Sequence, residues 1–334
     1  MTSVSDTRKT KTTLSLKAPA KINLSLRILG RREDGYHELE TLMQKIALHD
    51  ELQLTLTAEP GVRLRCPGAD LPENEDNIIV RAAQLFLTRT GNSKQGIHIT
   101  LKKNIPVAAG LGGGSSDAAA VLKGLNQLLK PSSSSCSVEE LADMGLELGA
   151  DVPLFVYDFP AARATGIGER LEPAAPLCGY QVLLVNPGIA VSTRWAYTAF
   201  SSAAFSSAGE KIALTGQGKA FTLSCSADGR NNPSSDGSPE QHSFHPDDLY
   251  NDLEPVTAER YPVIRALKER LLAAGAAGAM MSGSGSTVFG LFQDTDEEQA
   301  EKCCRQCSRE YEQVYLVLPL DAPEGGCVPA HQDK

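Results

Sequence analysis

Pro106-Val-Ala-Ala-Gly-Leu-Gly-Gly-Gly-Ser-Ser-Asp-Ala-Ala-Ala120 is the stretch whose reading decides the fold. Four glycines and two serines precede an alanine- and leucine-rich run. That run predicts a helix that starts near Ser115 or Ser116, with one serine as its cap, and ends before Pro131. Glycine lets the backbone turn tightly and bring its N–H groups close to a ligand. A helix that begins directly afterwards adds unsatisfied amides and the positive end of its dipole. Together these features predict a phosphate cradle. It is not a Walker A loop, because no lysine follows the glycines, and it is not a dinucleotide fingerprint, because Gly-x-Gly-x-x-Gly is absent.

On the N-terminal side, residues 14–28 predict a strand. Ile22, Leu24, Leu26 and Ile28 alternate with Lys21, Asn23, Ser25 and Arg27, which puts Lys21 and Asn23 on one face and the apolar set on the other. Shorter strands are predicted at Leu52/Leu54/Leu56, Val62/Leu64/Cys66 and Ile97/Ile99/Leu101, with a helix over about 77–90 stopped by Gly91. On the C-terminal side, Ser137 and Glu140 form a capping box for a helix ended by Gly149. Asp151 then stands at a corner leading into Val152-Pro-Leu-Phe-Val156, which reads as a short strand. Further on come a buried strand at 182–185, a helix from about Pro262 to Ala274, the loop Met281-Ser-Gly-Ser-Gly-Ser-Thr287, and strands at 288–292 and 314–318. The pattern is α+β in two lobes, with a polar tail over 1–13, a first domain over 14–170 and a second over 171–322. Residues 201–247 are rich in Ser, Gly, Asn and Asp, with apolar anchors only around 212–214 and 221–223, and read as a mobile insertion.

The chain has 334 residues and a net charge of −9, enough length for a sizeable core and the wrong sign for coating nucleic acid or anionic membranes. No apolar run is long enough to span a bilayer, and the polar N-terminus lacks a signal core, so a cytoplasmic protein is expected. Cys303, Cys304 and Cys307 cluster among the eight cysteines without zinc-site spacing, as reduced cysteines on a helix do.

Three further segments bear on chemistry. Lys21 follows an Ala-Pro-Ala entry and shares a strand face with Asn23. Gly30-Arg-Arg-Glu-Asp-Gly-Tyr-His37 is a glycine-bounded turn that reads equally as a hairpin with a packed tyrosine or as one that presents Tyr36 and His37, a flat ring beside a hydrogen-bonding one, to a planar group. Asp151 is an acid in an apolar corner, where a charge needs a partner, and Lys21 would supply one.

Ala18-Pro-Ala-Lys-Ile-Asn-Leu24, Asp34-Gly-Tyr-His37, the glycine-serine loop, Gly149-Ala-Asp-Val-Pro153, Asn251-Asp252 and Ser282-Gly-Ser-Gly-Ser286 occur in this order over most of the chain. In them the chain resembles the GHMP kinase superfamily, and the triple glycine with Gly-Tyr-His resembles one branch in particular. The resemblance implies an N-terminal lobe like ribosomal protein S5 domain 2 and a ferredoxin-like C-terminal lobe, with ATP and a small-molecule alcohol meeting between them. It implies ATP held by Pro106, Val107, Ala108, Ala109, Gly110, Leu111, Gly112, Gly113, Gly114, Ser115 and Ser116, and a catalytic pair of Lys21 and Asp151. Tyr36 and His37 would grip the cytosine of a cytidine diphosphate-linked substrate, Asn23 would line the cleft, Tyr197 would add a stacking ring, and the 282–286 loop would close the site. Mg²⁺ is expected with ATP, its ligands open between Ser116, Asp117 and water. Monomer and homodimer both remain open. Homoserine or mevalonate kinases and a non-catalytic nucleotide binder are the alternatives on the same fold. The long 201–247 segment departs from the expected pattern and weakens assignments in the second lobe.

Overall fold

β1 (Thr13–Arg31) runs through both lobes, and the rest of the fold is arranged around it. The structure is a computed structural model that describes residues 13–129, 135–205 and 244–321. The remaining described elements of the first lobe are β2 (His37–Thr57), β3 (Gly61–Arg65), α1 (Ile78–Arg89), β4 (Gly96–Lys102), α2 (Gly113–Leu128), α3 (Val138–Leu148), α4 (Val152–Val156), β5 (Ala161–Gly166) and β6 (Arg170–Ala174). There follow β7 (Tyr180–Asn186), α5 (Thr193–Phe205), β8 (Tyr250–Asn251), α6 (Glu254–Arg260), α7 (Val263–Ala273), β9 (Gly278–Met281), β10 (Val288–Gln293), α8 (Glu297–Cys307) and β11 (Gln313–Val317). The tail expected over 1–13, apart from Thr13, and residues 206–243 of the insertion expected over 201–247, with its apolar anchors, lie outside the described residues; residues 201–205 are not loop but the end of α5.

β2 is long because its outer edge serves two partners. Residues 51–57 pair with β4 and residues 39–44 with β5, while β1 covers the other edge. Register shifts at Pro19/Ala20, Asn23/Ser25 and Ile28/Gly30 bend the β1–β2 ribbon, as bulges do. The first sheet has the order β3-β4-β2-β1-β8, with β5 and β6 continuing from β2; the second is β11-β7-β10-β9, antiparallel throughout. β8 comes from the second half of the chain yet pairs with β1 at Ser25 and Leu26.

Alternation along β1 sorts its side chains into layers. Ala20, Ile22 and Leu24 pack against Val182, Leu184, Phe289 and Leu291 of the second sheet, and Leu26 and Ile28 join the core beneath α6 and α7. The opposite face was expected to be the polar one. It carries Lys21 and Asn23, but these are also buried, at 4% and 3% exposure, because the glycine-serine loop lies over them.

Two local expectations are corrected. α2 begins at Gly113, not at a serine: its N-cap is Gly112 in the left-handed region (φ 71°), with no side-chain cap. Ser115 and Ser116 therefore lie inside the first turn. Residues 152–156 form the helix α4, not a strand, with Pro153 in its first turn and the Tyr157 amide bonded to the Pro153 carbonyl. A five-residue apolar run reads the same in either state, and packing against α2 and α3 decides it. The capping box at Ser137 and Glu140 is present with both bonds, and Asn77 caps α1 through its side chain.

Candidate active site

Between the lobes lies a cleft of about 1060 Å³, lined by Lys21, Asn23, Tyr36, His37, Asp151 and residues 106–115, with Arg194 and Tyr197 on the second-lobe side. Its floor is the glycine-serine loop. Ala108, Gly110 and Gly112 adopt positive φ (52°, 78° and 71°) at alternate positions, which forms the kind of concave backbone that gathers N–H groups around an anion. The carbonyls of this stretch are engaged elsewhere. The Ala108 carbonyl accepts from the Val191 amide (3.3 Å), Ala109 from the Thr287 amide (3.3 Å), and Leu111 from the Lys21 amide (2.9 Å). The Gly110 carbonyl accepts from both Lys21 Nζ and Ser282 Oγ, each at 3.0 Å. The first-turn amides of Gly113, Gly114 and Ser115 have no intrahelical acceptor and face the dipole's positive end.

Ser116 stands apart from the expected set. Its amide bonds to the Gly112 carbonyl (2.9 Å), and its hydroxyl is buried without a partner, away from the cleft lining. A side chain at Gly112 is disfavoured for two reasons: its φ, and the 3.0 Å that would separate an added Cβ from both Lys21 Cγ and the Phe155 ring.

Lys21 Nζ lies 3.8 Å from Asp151 Oδ2 and donates to Asn23 Oδ1 at 2.5 Å. Burial pushes the lysine below its usual range, and the Asp151 charge opposes that. Asp151 is not the buried acid expected; its side chain is 41% exposed, because the corner leads from α3 into α4 at the cleft's edge. Asn23 is held from both ends of its amide: it accepts from Lys21 and donates to Thr41 Oγ1 (2.8 Å), which donates to the Ser25 carbonyl (2.6 Å).

The turn before β2 is closed by the Tyr36 amide on Asp34 Oδ1 (3.1 Å) with Gly35 at φ 88°. Tyr36 is left 60% exposed. His37 packs against Tyr197, ring centroids 5.1 Å apart, with Nε2 2.7 Å from Ser201 Oγ. Partial burial, then the Arg31 charge, lowers the His37 pKa. Burial and the Asp151 charge raise that of the Tyr197 phenol. The 282–286 loop clasps the floor from above: Ser284 Oγ donates to Thr193 Oγ1 (3.0 Å), and Asn251 Nδ2 holds the Met281 and Gly283 carbonyls, both at 2.8 Å.

Residue spacing left one cluster unseen. Lys103 is buried between Asp50 and Asp117, 3.0 Å from the latter, beneath the start of α2. Burial pushes Asp117 up to about 7 despite the lysine. Asp50 also accepts the Asn104 (2.6 Å) and Ile105 (2.8 Å) amides, which fixes the entry into the loop. The pairing spans 53 residues of sequence, so no local pattern announces it.

The chain matches the GHMP kinases N terminal domain over residues 77–159 and the GHMP kinases C terminal family over residues 240–313. A protein of Desulfotalea psychrophila named 4-diphosphocytidyl-2-C-methyl-D-erythritol kinase is 44% identical over 309 residues, 92% of this chain and 95% of that one. A protein of the same name from Geobacter metallireducens is 46% identical, covering 85% and 91%. Among solved structures, a 4-(cytidine 5'-diphospho)-2C-methyl-D-erythritol kinase superposes with TM-score 0.66 at 31% identity, covering 91% of this chain and 98% of that one. A homoserine kinase from Cytophaga hutchinsonii reaches 0.65 at 19% identity, covering 96% and 99%, and shares the fold. Identity of this extent along nearly the whole chain leaves no room for a bare fold resemblance: the chain belongs to the 4-diphosphocytidyl-2-C-methyl-D-erythritol kinase family of the GHMP kinases.

Proposed function

We propose that this chain transfers the γ-phosphoryl group of ATP to the 2-hydroxyl of 4-diphosphocytidyl-2-C-methyl-D-erythritol, giving the 2-phosphate and ADP in the non-mevalonate route to isopentenyl diphosphate. The observation that carries the mechanism is the Lys21–Asp151 pair at 3.8 Å beside a floor of unpaired amides. Asp151 accepts the hydroxyl proton as the oxygen bonds to the γ-phosphorus and the bond to the β-phosphate oxygen breaks. Lys21, paired with the Asp151 carboxylate at 3.8 Å, lowers the cost of negative charge on the attacking oxygen. The amides of Gly113, Gly114 and Ser115 stabilise phosphate charge without reorganising. Tyr36 and the His37–Tyr197 pair hold the cytosine, and Asn23 holds Lys21 in place.

Among the described residues no cluster of three His, Cys, Asp or Glu is arranged for a metal. Magnesium usually takes one or two protein ligands and fills its shell with phosphate and water. Ser115 and Asp117 line the cleft at the start of α2, and Asp117 Oδ1 is buried without a partner, so the residues fit a metal carried in on ATP. When bound, Mg²⁺ neutralises phosphate oxygens.

The two-domain division is part of the same proposal. β6 pairs with β5, which supports a boundary within residues 175–179, a few residues after the expected 170/171.

A steady-state assay with Mg-ATP and each alcohol in turn tests the substrate. Turnover of the cytidylyl alcohol is expected, and phosphorylation of homoserine or mevalonate instead would refute it. In the same assay Asp151→Asn should lose roughly 10²–10⁴-fold in turnover while ATP affinity is kept. Unchanged turnover removes Asp151 from the mechanism.

A further inference from the structure

On the function proposed above, the substrate carries a negatively charged diphosphate between its cytidine and its alcohol, and no residue described so far neutralises it. Three lysine or arginine side chains line the cleft: Lys21, Lys103 and Arg194. Lys21 is committed to Asp151, Asn23 and the Gly110 carbonyl. Lys103 is enclosed by Asp50 and Asp117. Arg194 is exposed, and its guanidinium makes no ion pair or hydrogen bond with any of the described residues.

Its position is as telling as its freedom. Arg194 precedes Tyr197 by three residues on α5, so the two share a helix face. Tyr197 touches the His37 ring on one side and feels the Asp151 charge on the other. α5 thus joins the cytosine end of the cleft to the phosphoryl-transfer end. Thr193, the neighbour of Arg194, is hydrogen-bonded to Ser284, which fixes the start of α5 against the loop that clasps the floor.

We infer that Arg194 binds the diphosphate of the substrate and so selects a nucleotide-linked alcohol over an unlinked one. A guanidinium suits the task, because it is always charged and presents a planar fork of donors to phosphate oxygens. Arg194 is a specificity residue for the ground state; nothing brings it to the reacting oxygen.

The test uses the full chain with its ATP site filled by a non-hydrolysable ATP analogue. Cytidine and cytidine 5'-diphosphate are titrated calorimetrically against the wild type, Arg194→Ala and Arg194→Lys. Wild type should bind the diphosphate about tenfold more tightly than cytidine, the scale of a charge-assisted hydrogen-bonded contact open to solvent. Arg194→Ala should shrink that gap to about twofold with cytidine affinity unchanged, and Arg194→Lys should restore part of it. In turnover, Arg194→Ala should raise KM for the alcohol without moving KM for ATP. A tenfold gap that survives in Arg194→Ala overturns the inference alone, as does a wild type that binds both ligands equally. A wild type that binds neither overturns the proposed substrate and the inference together.

Discussion

His37 shows how much a single side chain depends on its surroundings. Its ring is one residue of a turn, yet burial against Tyr197 and the nearby Arg31 charge both disfavour the protonated form. The folded-state pKa therefore lies below the ordinary 6.5, while the unfolded chain titrates near 6.5. Below 6.5 the unfolded state binds more protons than the native state, so this group's contribution to stability is present at neutral pH and is lost as pH falls. A ring-proton NMR titration of His37 should give a midpoint under 6.5, and the stability difference between wild type and His37→Gln should narrow from pH 7 to pH 5. A midpoint at or above 6.5 would refute the assignment. The closeness of Lys21 and Asp151, 3.8 Å apart, was legible in the sequence as a charge and the partner it needs. Arg194 was not, since an arginine after Ser-Thr carries no signal until α5 is seen against the cleft. Nor was the occupation of Asn23: sequence places it beside Lys21, but only the fold supplies Thr41 as its second partner.

At the scale of elements, the loop between Pro106 and α2 is where geometry and chemistry are hardest to separate, and its glycines separate them. Gly112 has positive φ and a Cβ there would crowd Lys21 and Phe155 at 3.0 Å, whereas Gly114 is helical, exposed and would meet only Ile78 Cγ2, at 3.8 Å. Gly112→Ala should destabilise the fold by about 1–2 kcal/mol from φ alone, and more from the contact with Lys21 and Phe155. Gly114→Ala should hold or raise stability, by up to about 1 kcal/mol, while weakening ATP binding by crowding the phosphates. Denaturant unfolding alongside nucleotide titration reads both. A destabilised Gly114→Ala, or one with ATP affinity intact, would show that this glycine serves another purpose. The loop's tight, left-handed turns were readable from its glycines, but the start of its helix was not. Serine is a favoured cap, so the serines drew the boundary, whereas the left-handed Gly112 sets it three residues before Ser115. The misassigned α4 has a different cause: five apolar residues carry no period, and tertiary contacts decide between helix and strand.

For the whole molecule, cohesion of the lobes depends on β1 and on a few ties from the second half of the chain. Asp252 Oδ2 accepts the Ile28 amide (2.6 Å), its own amide bonds to the Leu26 carbonyl (3.0 Å), and Tyr250 donates to its other oxygen (2.7 Å). Asp252→Ala strands the Ile28 amide and should cost about 1–3 kcal/mol in unfolding free energy. Unchanged stability in a denaturant melt would mean that water replaces the carboxylate at no cost. The two-lobe α+β plan was visible in the order of strands and helices, but the crossing of β8 back to β1 was not, because a two-residue strand leaves no pattern. The clasp on the glycine-serine floor has a consequence for how the enzyme is made. Three of the four carbonyls along residues 108–111 draw on partners at Val191, Ser282 or Thr287, which are synthesised 80 or more residues after the loop itself. A ribosome holding a chain that ends before residue 282 would carry a glycine loop without its upper grip. Nucleotide binding should thus arrive late in translation, after the last third of the polypeptide has emerged, so that the nascent first lobe cannot sequester ATP before it has a substrate to give it to.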